Sequence, residues 1–247
     1  MNSYGRGFFS MPPVVKNIIM INILMLLAYY AAANVFSVNL NSTLGLYFPK
    51  SENFKPVQIL THMFMHANFW HLFFNMYALF IFGQVLENVW GPKRFLIYYL
   101  VCGLGAALTH ESVIAYEYAR LVNNITPDNL ELVLNEGSAY YEAGKVFSDS
   151  GMQSLQLLLN TPTVGASGAV FGILLAFGVL FPNTQLMIIF PPIPIKAKYF
   201  VLIYGGIELF LAFTQPGSNI AHAAHLGGML FGFILLRYWR KTTKTLY

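Results

Sequence analysis

Polar and apolar residues along this chain segregate into long blocks instead of alternating at a short period. Over a window of about 19 residues, six stretches stay apolar for long enough to cross a bilayer: 16–36, 69–89, 94–112, 165–182, 196–213 and 220–239. Each predicts a transmembrane helix, because in lipid the backbone polar groups must be satisfied within the segment itself. The expected fold class is an all-α membrane protein, a six-transmembrane-helix bundle forming one membrane domain over residues 1–247. Residues 113–160, between the third and fourth stretches, break the pattern. Six of the ten acids fall there, yet Leu, Val and Tyr recur in "NLELVLNEGSAYYEAGKVF". That mixture predicts short amphipathic helices resting on the membrane surface or on the bundle.

Composition agrees with the pattern. Hydrophobic residues make up 56% of the 247 positions and charged residues only 10%, with a mean hydropathy of +0.56; soluble domains carry about 25% charge. The charge that remains orients the chain. Ten of the 14 Lys and Arg (Arg6, Lys16, Lys93, Arg94, Lys196, Lys198, Arg237, Arg240, Lys241 and Lys244) flank the spans on one side, against Lys50, Lys55, Arg120 and Lys145 on the other. The positive-inside rule then places both termini in the cytoplasm and the 113–160 insertion outside. The net charge of +4 reflects this topology, and no nucleic-acid footprint is visible. Lys16, the apolar run and Ala31-Ala32-Ala33 imitate a signal peptide, but the run is long enough to span and the pairing of termini requires it. Cys102 lies inside a span and has no partner for an internal disulfide. Short termini without an organellar targeting segment lead to the expectation of a bacterial inner (plasma) membrane.

Polar side chains inside a bilayer are costly, so their depth carries information. The second, fourth and sixth stretches all run from outside to inside. Asn68 is a candidate N-cap, and His71 and Asn75 follow it four residues apart on one helical face. Ser167 stands about two residues into the fourth stretch, and His222 and His225 begin the sixth. One depth below the outer surface thus collects a hydroxyl, an amide and imidazoles. Gly168 and Gly172 form a small-xxx-small face on the fourth stretch, and Ala221, Ala224, Gly228 and Gly232 form another on the sixth; such faces let backbones approach closely. Ser167 adjoins the first face. His225 shares the second with Gly228 and Gly232, whereas His222 is turned about 60° away and reads as a buried or interfacial histidine.

A serine beside an imidazole has the makings of a nucleophile. Its oxyanion could be held by the Ser167 backbone N–H in the first helical turn, by the Asn75 amide and by the His71 ring, donors worth roughly 3–4 kcal/mol each when aimed at the transition state. Both Asp residues, Asp128 and Asp149, lie in the outer insertion, so a Ser-His-Asp triad is not expected. Glu208 is the only acid in the last three stretches; it reads as a paired or snorkelling side chain, with orientation of a histidine as the lesser alternative. The residues therefore predict a Ser167–His225 dyad, with the imidazole oriented by packing against Phe171, one turn below the serine. Three rivals use the same residues differently: a helix-binding protein on the same bundle, a metal or haem protein drawing on the six histidines, and a transporter. The His62–His66 pair has i, i+4 spacing but no HExxH motif and no adjacent carboxylate, so no metal or other cofactor is expected.

"GASG" (165–168), "AHLGGMLFG" (224–232) and "HMFMHANFWHLFFN" (62–75), in this order and on these stretches, resemble the rhomboid intramembrane serine proteases over about residues 55–240. The resemblance implies Ser167 as nucleophile, His225 as general base and then acid, and His71 with Asn75 at the oxyanion hole. It matches His62 and His66 to histidines leading into the second helix. It further implies cleavage of single-pass membrane proteins at or near a bilayer-embedded helix, through an acyl-enzyme and without metal or cofactor, with the fifth helix moving aside to admit substrate. The chain departs from the family in two places. Phe171 stands where members often carry Tyr on the catalytic histidine, and the first loop, 37–58, lacks the Trp-Arg pair of some members.

Overall fold

Helix starts in this chain are written by proline and by short polar side chains. A computed structural model describes residues 11–187, 193–214 and 222–242; Arg6, Ala221 and Lys244, invoked above, lie outside the described residues. Pro13, Pro92 and Pro127 open α1 (Pro13–Phe36), α6 (Pro92–Val122) and α7 (Pro127–Glu142), where the missing N–H costs nothing. Asn68 caps α4 (Phe69–Ala78) by accepting from the His71 N–H at 2.9 Å, and Asp149 caps α8 (Ser150–Asn160) by accepting from the Met152 N–H at 2.9 Å. A π-helical turn, Leu79–Gly83, carries α4 into α5 (Gln84–Trp90), so that one helix runs from Phe69 to Trp90. Two short helices, α2 (Leu40–Leu44) and α3 (Gln58–Thr61), shape the first loop. The remaining elements are a 3-10 turn (His62–Phe64), α9 (Ser167–Leu180), an antiparallel hairpin of β1 (Gln185–Met187) and β2 (Pro194–Lys196), α10 (Ala197–Thr214) and α11 (His222–Thr242).

Each of the six apolar stretches is a helix, but they are not equivalent. Among the described residues, four helices are long and apolar enough to cross a membrane: Pro13–Phe36, Phe69–Trp90, Pro92–Val122 and Ala197–Thr214. Helix α9 has only 14 residues, about 21 Å at 1.5 Å per residue, against a hydrocarbon core of about 30 Å. Eleven of those residues are buried, so this helix is enclosed by its neighbours instead of facing lipid. Helix α11 has 21 residues and ends in Arg237, Arg240 and Lys241, which lower its mean hydropathy.

Glycine decides how near the enclosing helices come. A Cβ on Gly228 would strike the backbone carbonyl of Gly168, and one on Gly172 would strike the Cys102 sulfur and lie 3.0 Å from the Gly228 carbonyl oxygen. Helices α9 and α11 therefore touch backbone to backbone. The sequence did not reveal that α6 closes the third side. Ala106 fills the space beside Gly168, Cys102 the space beside Gly172, and the buried Tyr98 hydroxyl donates to the Gly172 carbonyl at 2.9 Å.

Buried polar side chains fasten the periphery. Glu87, midway along α5, accepts from the Val14 and Val15 N–H groups at 2.9 and 2.8 Å and so holds the N-terminus of α1. Gln58 pins the first loop: its amide donates to the carbonyls of Asn53 (2.9 Å) and Thr43 (3.2 Å) and accepts from the Lys55 N–H (2.9 Å). Gln156 does the same in the 113–160 insertion, donating to the Gly137 and Lys145 carbonyls at 3.0 and 3.1 Å. That insertion is helical almost throughout, its first ten residues prolonging α6. Helices α7 and α8 enclose a second, smaller core of Val133, Met152, Leu155 and Leu159 that reaches Phe48 in the first loop. The insertion thus rests on protein, one of the two settings its amphipathic pattern allowed.

Candidate active site

Ser167 is the first residue of α9, and its N–H belongs to the helical turn that lacks intrahelical partners. The turn before it is sharp. Gly165 has φ +133°, a conformation that side-chain-bearing residues rarely adopt, and its N–H donates to the His62 carbonyl at 2.9 Å. A Cβ there would lie 2.8 Å from Cε1 and 3.0 Å from Nε2 of His71, and 3.7 Å from Ser167 Oγ. The glycine is therefore the floor on which the His71 ring and the serine hydroxyl meet. Its place at the head of "GASG" was the only sequence signal of this role.

On the other side of the hydroxyl, His225 Nε2 lies 2.9 Å from Ser167 Oγ. Phe171 stacks on the imidazole with centroids 4.1 Å apart and planes 7° from parallel, and Tyr204 of α10 stacks in turn on Phe171 at 5.2 Å. The contact between Gly168, next to the serine, and Gly228, one turn below the histidine, lies against the pair, and Gly232 packs on Tyr98 one turn lower on α11. Close backbone approach is what lets a serine on one helix reach a ring on the next.

His71 and Asn75 differ in how they are presented. The His71 Nδ1 accepts from the Ala67 N–H at 3.4 Å, which leaves Nε2 as the N–H, directed over Gly165. Asn75 is buried one turn along and spends its Nδ2 on the His71 carbonyl at 2.9 Å; among the described residues it makes no hydrogen bond to Ser167 or His225. Below the serine, a cavity of about 20 Å³, lined by His62, His110, Thr163 and Gly165 among others, has room for one water. His110 Nε2 and Thr163 Oγ1 face each other across 2.9 Å, and His62 Nδ1 donates to the Gln58 carbonyl at 2.9 Å. Ahead of the second span, burial pushes His62 below its ordinary range and His66 down to about 3, with the neighbouring His71 adding to the effect on His66.

Of the readings open for the acid Glu208, the structure shows pairing and not snorkelling. On α10 its neighbours Ile207, Leu209 and Phe210 are exposed, whereas the carboxylate is buried against α11. Its Oε2 lies 2.6 Å from His222 Nδ1 and 3.0 Å from His225 Nδ1, the second contact being close enough for an ion pair but off the line of a hydrogen bond. His222, read as a bystander, is thus the nearest partner of the one carboxylate that the described residues bring to the site. The side chains thus form the Ser167–His225 pair with a carboxylate beside it. One carboxylate and two imidazoles within 4.8 Å of one another also have the donor set of a metal site, although the 2.6 Å contact is that of a charge-assisted hydrogen bond.

A hydroxyl 2.9 Å from an imidazole nitrogen, backed by a carboxylate and faced by N–H donors, can lose a proton as it attacks a carbonyl. Comparison with known proteins places the chain among relatives of one kind. It is 27% identical over 188 residues to the mitochondrial Rhomboid protein 1 of Saccharomyces cerevisiae (76% of this chain, 43% of that protein) and 28% identical over 182 residues to the rhomboid protease AarA of Providencia stuartii (70% and 52%). The bovine mitochondrial presenilin-associated rhomboid-like protein is 26% identical over 221 residues (84% and 46%). The chain therefore spans about half the length of the curated relatives it matches. Several of these relatives are mitochondrial, which withdraws support from a bacterial plasma membrane and leaves a multi-pass integral membrane protein. The Rhomboid domain family matches residues 53–241, more than half of the chain, and on that match the chain belongs to the rhomboid family.

Proposed function

We propose that this protein is an intramembrane serine protease that hydrolyses peptide bonds in or near the transmembrane helix of single-pass membrane proteins. The observation that carries the reading is the 2.9 Å approach of Ser167 Oγ to His225 Nε2 at the ends of two helices in glycine-mediated contact. Its topology has six crossings, with both termini cytoplasmic and the entrances of α4, α9 and α11 facing outward, as the distribution of Lys and Arg requires. Helix α9 crosses as a short segment largely enclosed by its neighbours, so the serine lies below the outer surface yet within reach of water.

In this reading, Ser167 Oγ attacks the scissile carbonyl carbon while its proton passes to His225 Nε2. The oxyanion is met by the Ser167 N–H and the His71 Nε2–H. Asn75 either holds the His71 segment through the bond it makes now or exchanges that bond for the oxyanion. The His225 proton then goes to the leaving amine, and water hydrolyses the ester with the same imidazole as base. Hydrolysis written this way uses the chain's own side chains and water.

Purified protein with a labelled single-pass membrane substrate is expected to cleave it and to react with a fluorophosphonate probe. Ser167→Ala is expected to abolish both. Cleavage that persists unchanged in that variant would remove the serine from the chemistry.

A further inference from the structure

We propose that Glu208 is the positioning residue of the catalytic pair, so that the working unit is Ser167–His225–Glu208, with His222 fixing the carboxylate. The inference rests on the protease reading and adds to it a third side chain, carried by the helix with the fewest buried residues in the bundle.

The argument begins with cost. A carboxylate at membrane depth is expensive unless paired, and on α10 every reason of solvation would turn it outward or toward a helix end. Only Ala197, Val201 and Glu208 of that helix are buried, so its single acid has been spent on the inner face. The carboxylate meets nitrogen there twice, through one oxygen.

Tautomers follow from these contacts. To accept the Ser167 proton, His225 Nε2 must be bare, and the ring's hydrogen then sits on Nδ1, the atom 3.0 Å from Glu208 Oε2. A carboxylate there favours that tautomer. During attack the Oγ–carbon bond forms, the hydroxyl proton moves to Nε2, and Glu208 remains ionised beside the imidazolium. The contact is out of line in the resting protein, and such contacts tighten once substrate is bound. The shorter bond from His222 Nδ1 keeps Oε2 from turning away. Stacking by Phe171 fixes the plane of the ring, and Glu208 fixes which nitrogen carries the proton. Because Glu208 and Tyr204 belong to α10, displacement of that helix would remove the acid and the outer layer of the stack together.

Ionisable groups facing His225 come from every element around it: Glu208 and Tyr204 on α10, His222 on α11, Ser167 on α9, His71 on α4 and His110 on α6. Of these only Glu208 is an acid, so its removal has one sign. The imidazolium formed during attack then lacks its counter-charge.

The test is steady-state cleavage of a fluorogenic membrane substrate in detergent or nanodiscs across pH, with melting temperature followed in parallel. Glu208→Gln is expected to lower kcat by about 10- to 100-fold with KM within about twofold. The acidic limb of kcat/KM is expected to move to lower pH by at least about half a unit, because Gln keeps an acceptor and loses the charge. Glu208→Asp is expected to restore part of kcat and the wild-type limb, and it keeps the question answerable if the glutamine variant fails to fold. Turnover of Glu208→Gln within about threefold of wild type, or an unmoved acidic limb, would overturn the assignment. So would loss of wild-type activity on chelation that zinc restores, since the three side chains would then be ligands. A wild-type protein that neither cleaves nor labels would instead strike the protease reading itself.

Discussion

Two seams meet at the serine, and they are built on opposite principles. Between α9, α11 and α6 the spacers are glycines whose missing side chains are occupied by a neighbour's backbone or by Ala106, Cys102 and Tyr98. Between α10 and the same core the packing is sparse. Gly206 has nothing within 4 Å of a Cβ position, and Gly205 would meet only the flexible end of Met229. One seam holds Ser167 and His225 at 2.9 Å; the other brings Glu208 and the stacked Tyr204 to the pair. The lesson is that distance is set where backbones touch, whereas orientation is supplied from a helix that is lightly held.

A series of glycine-to-alanine changes ranks the two seams, read as melting temperature and turnover. Gly228→Ala is expected to be the most damaging, because its Cβ meets the Gly168 carbonyl and neither backbone can yield. A loss of about 3 kcal/mol or more and nearly complete loss of turnover are expected. Normal activity in this variant would refute backbone contact as the source of the geometry.

Acid is the next largest perturbation, and it acts through a buried histidine ahead of the second span. His66 titrates at about 3 when folded, below the unfolded value of about 6.5, so the unfolded chain takes up the proton first. Stability is therefore whole above about pH 6.5 and declines as pH falls through that value toward 3. A loss of about 2 kcal/mol by pH 5 is expected, to be read from melting curves in which His66→Phe is flatter than wild type.

The α10 seam should respond less. Gly178→Ala would place a Cβ 2.7 Å from a Val201 methyl group, a side-chain contact, and is expected to cost about 1–2 kcal/mol. Gly206→Ala should be neutral or stabilising by about 0.5–1 kcal/mol, since only the glycine's helix penalty is removed. If Gly206→Ala instead abolished turnover at unchanged stability, the light packing of α10 would itself be part of the chemistry.

Much of the bundle was legible because membrane helices are read from local hydropathy. The six stretches recover α1, the Phe69–Trp90 helix, α6, α9, α10 and α11 to within a few residues at most ends. The main miss is the outer end of α6, where ten polar-flanked residues continue the helix to Val122 because they pack on α8 and the first loop instead of entering water. The hairpin β1–β2 also escaped, since three-residue strands carry no periodic signal. Ser167, His225 and His71 could be named in advance because their depth followed from span starts and orientation. Glu208 could not be assigned. Its position on α10 says that it is costly, and the two nitrogens that offset the cost lie 14 and 17 residues away on another helix.

What the sequence determined by itself is therefore one-dimensional: which segments are helical, where they start, and which polar residues lie at one depth. These follow from hydropathy, caps and charge, which act over a few residues. The tertiary structure alone decided the facing relations: α6 as the third wall, Gly165 as the floor beneath His71, and the carboxylate between two histidines. Rotation of a helix about its axis is set by the side chains of its neighbours, and those come from distant parts of the chain.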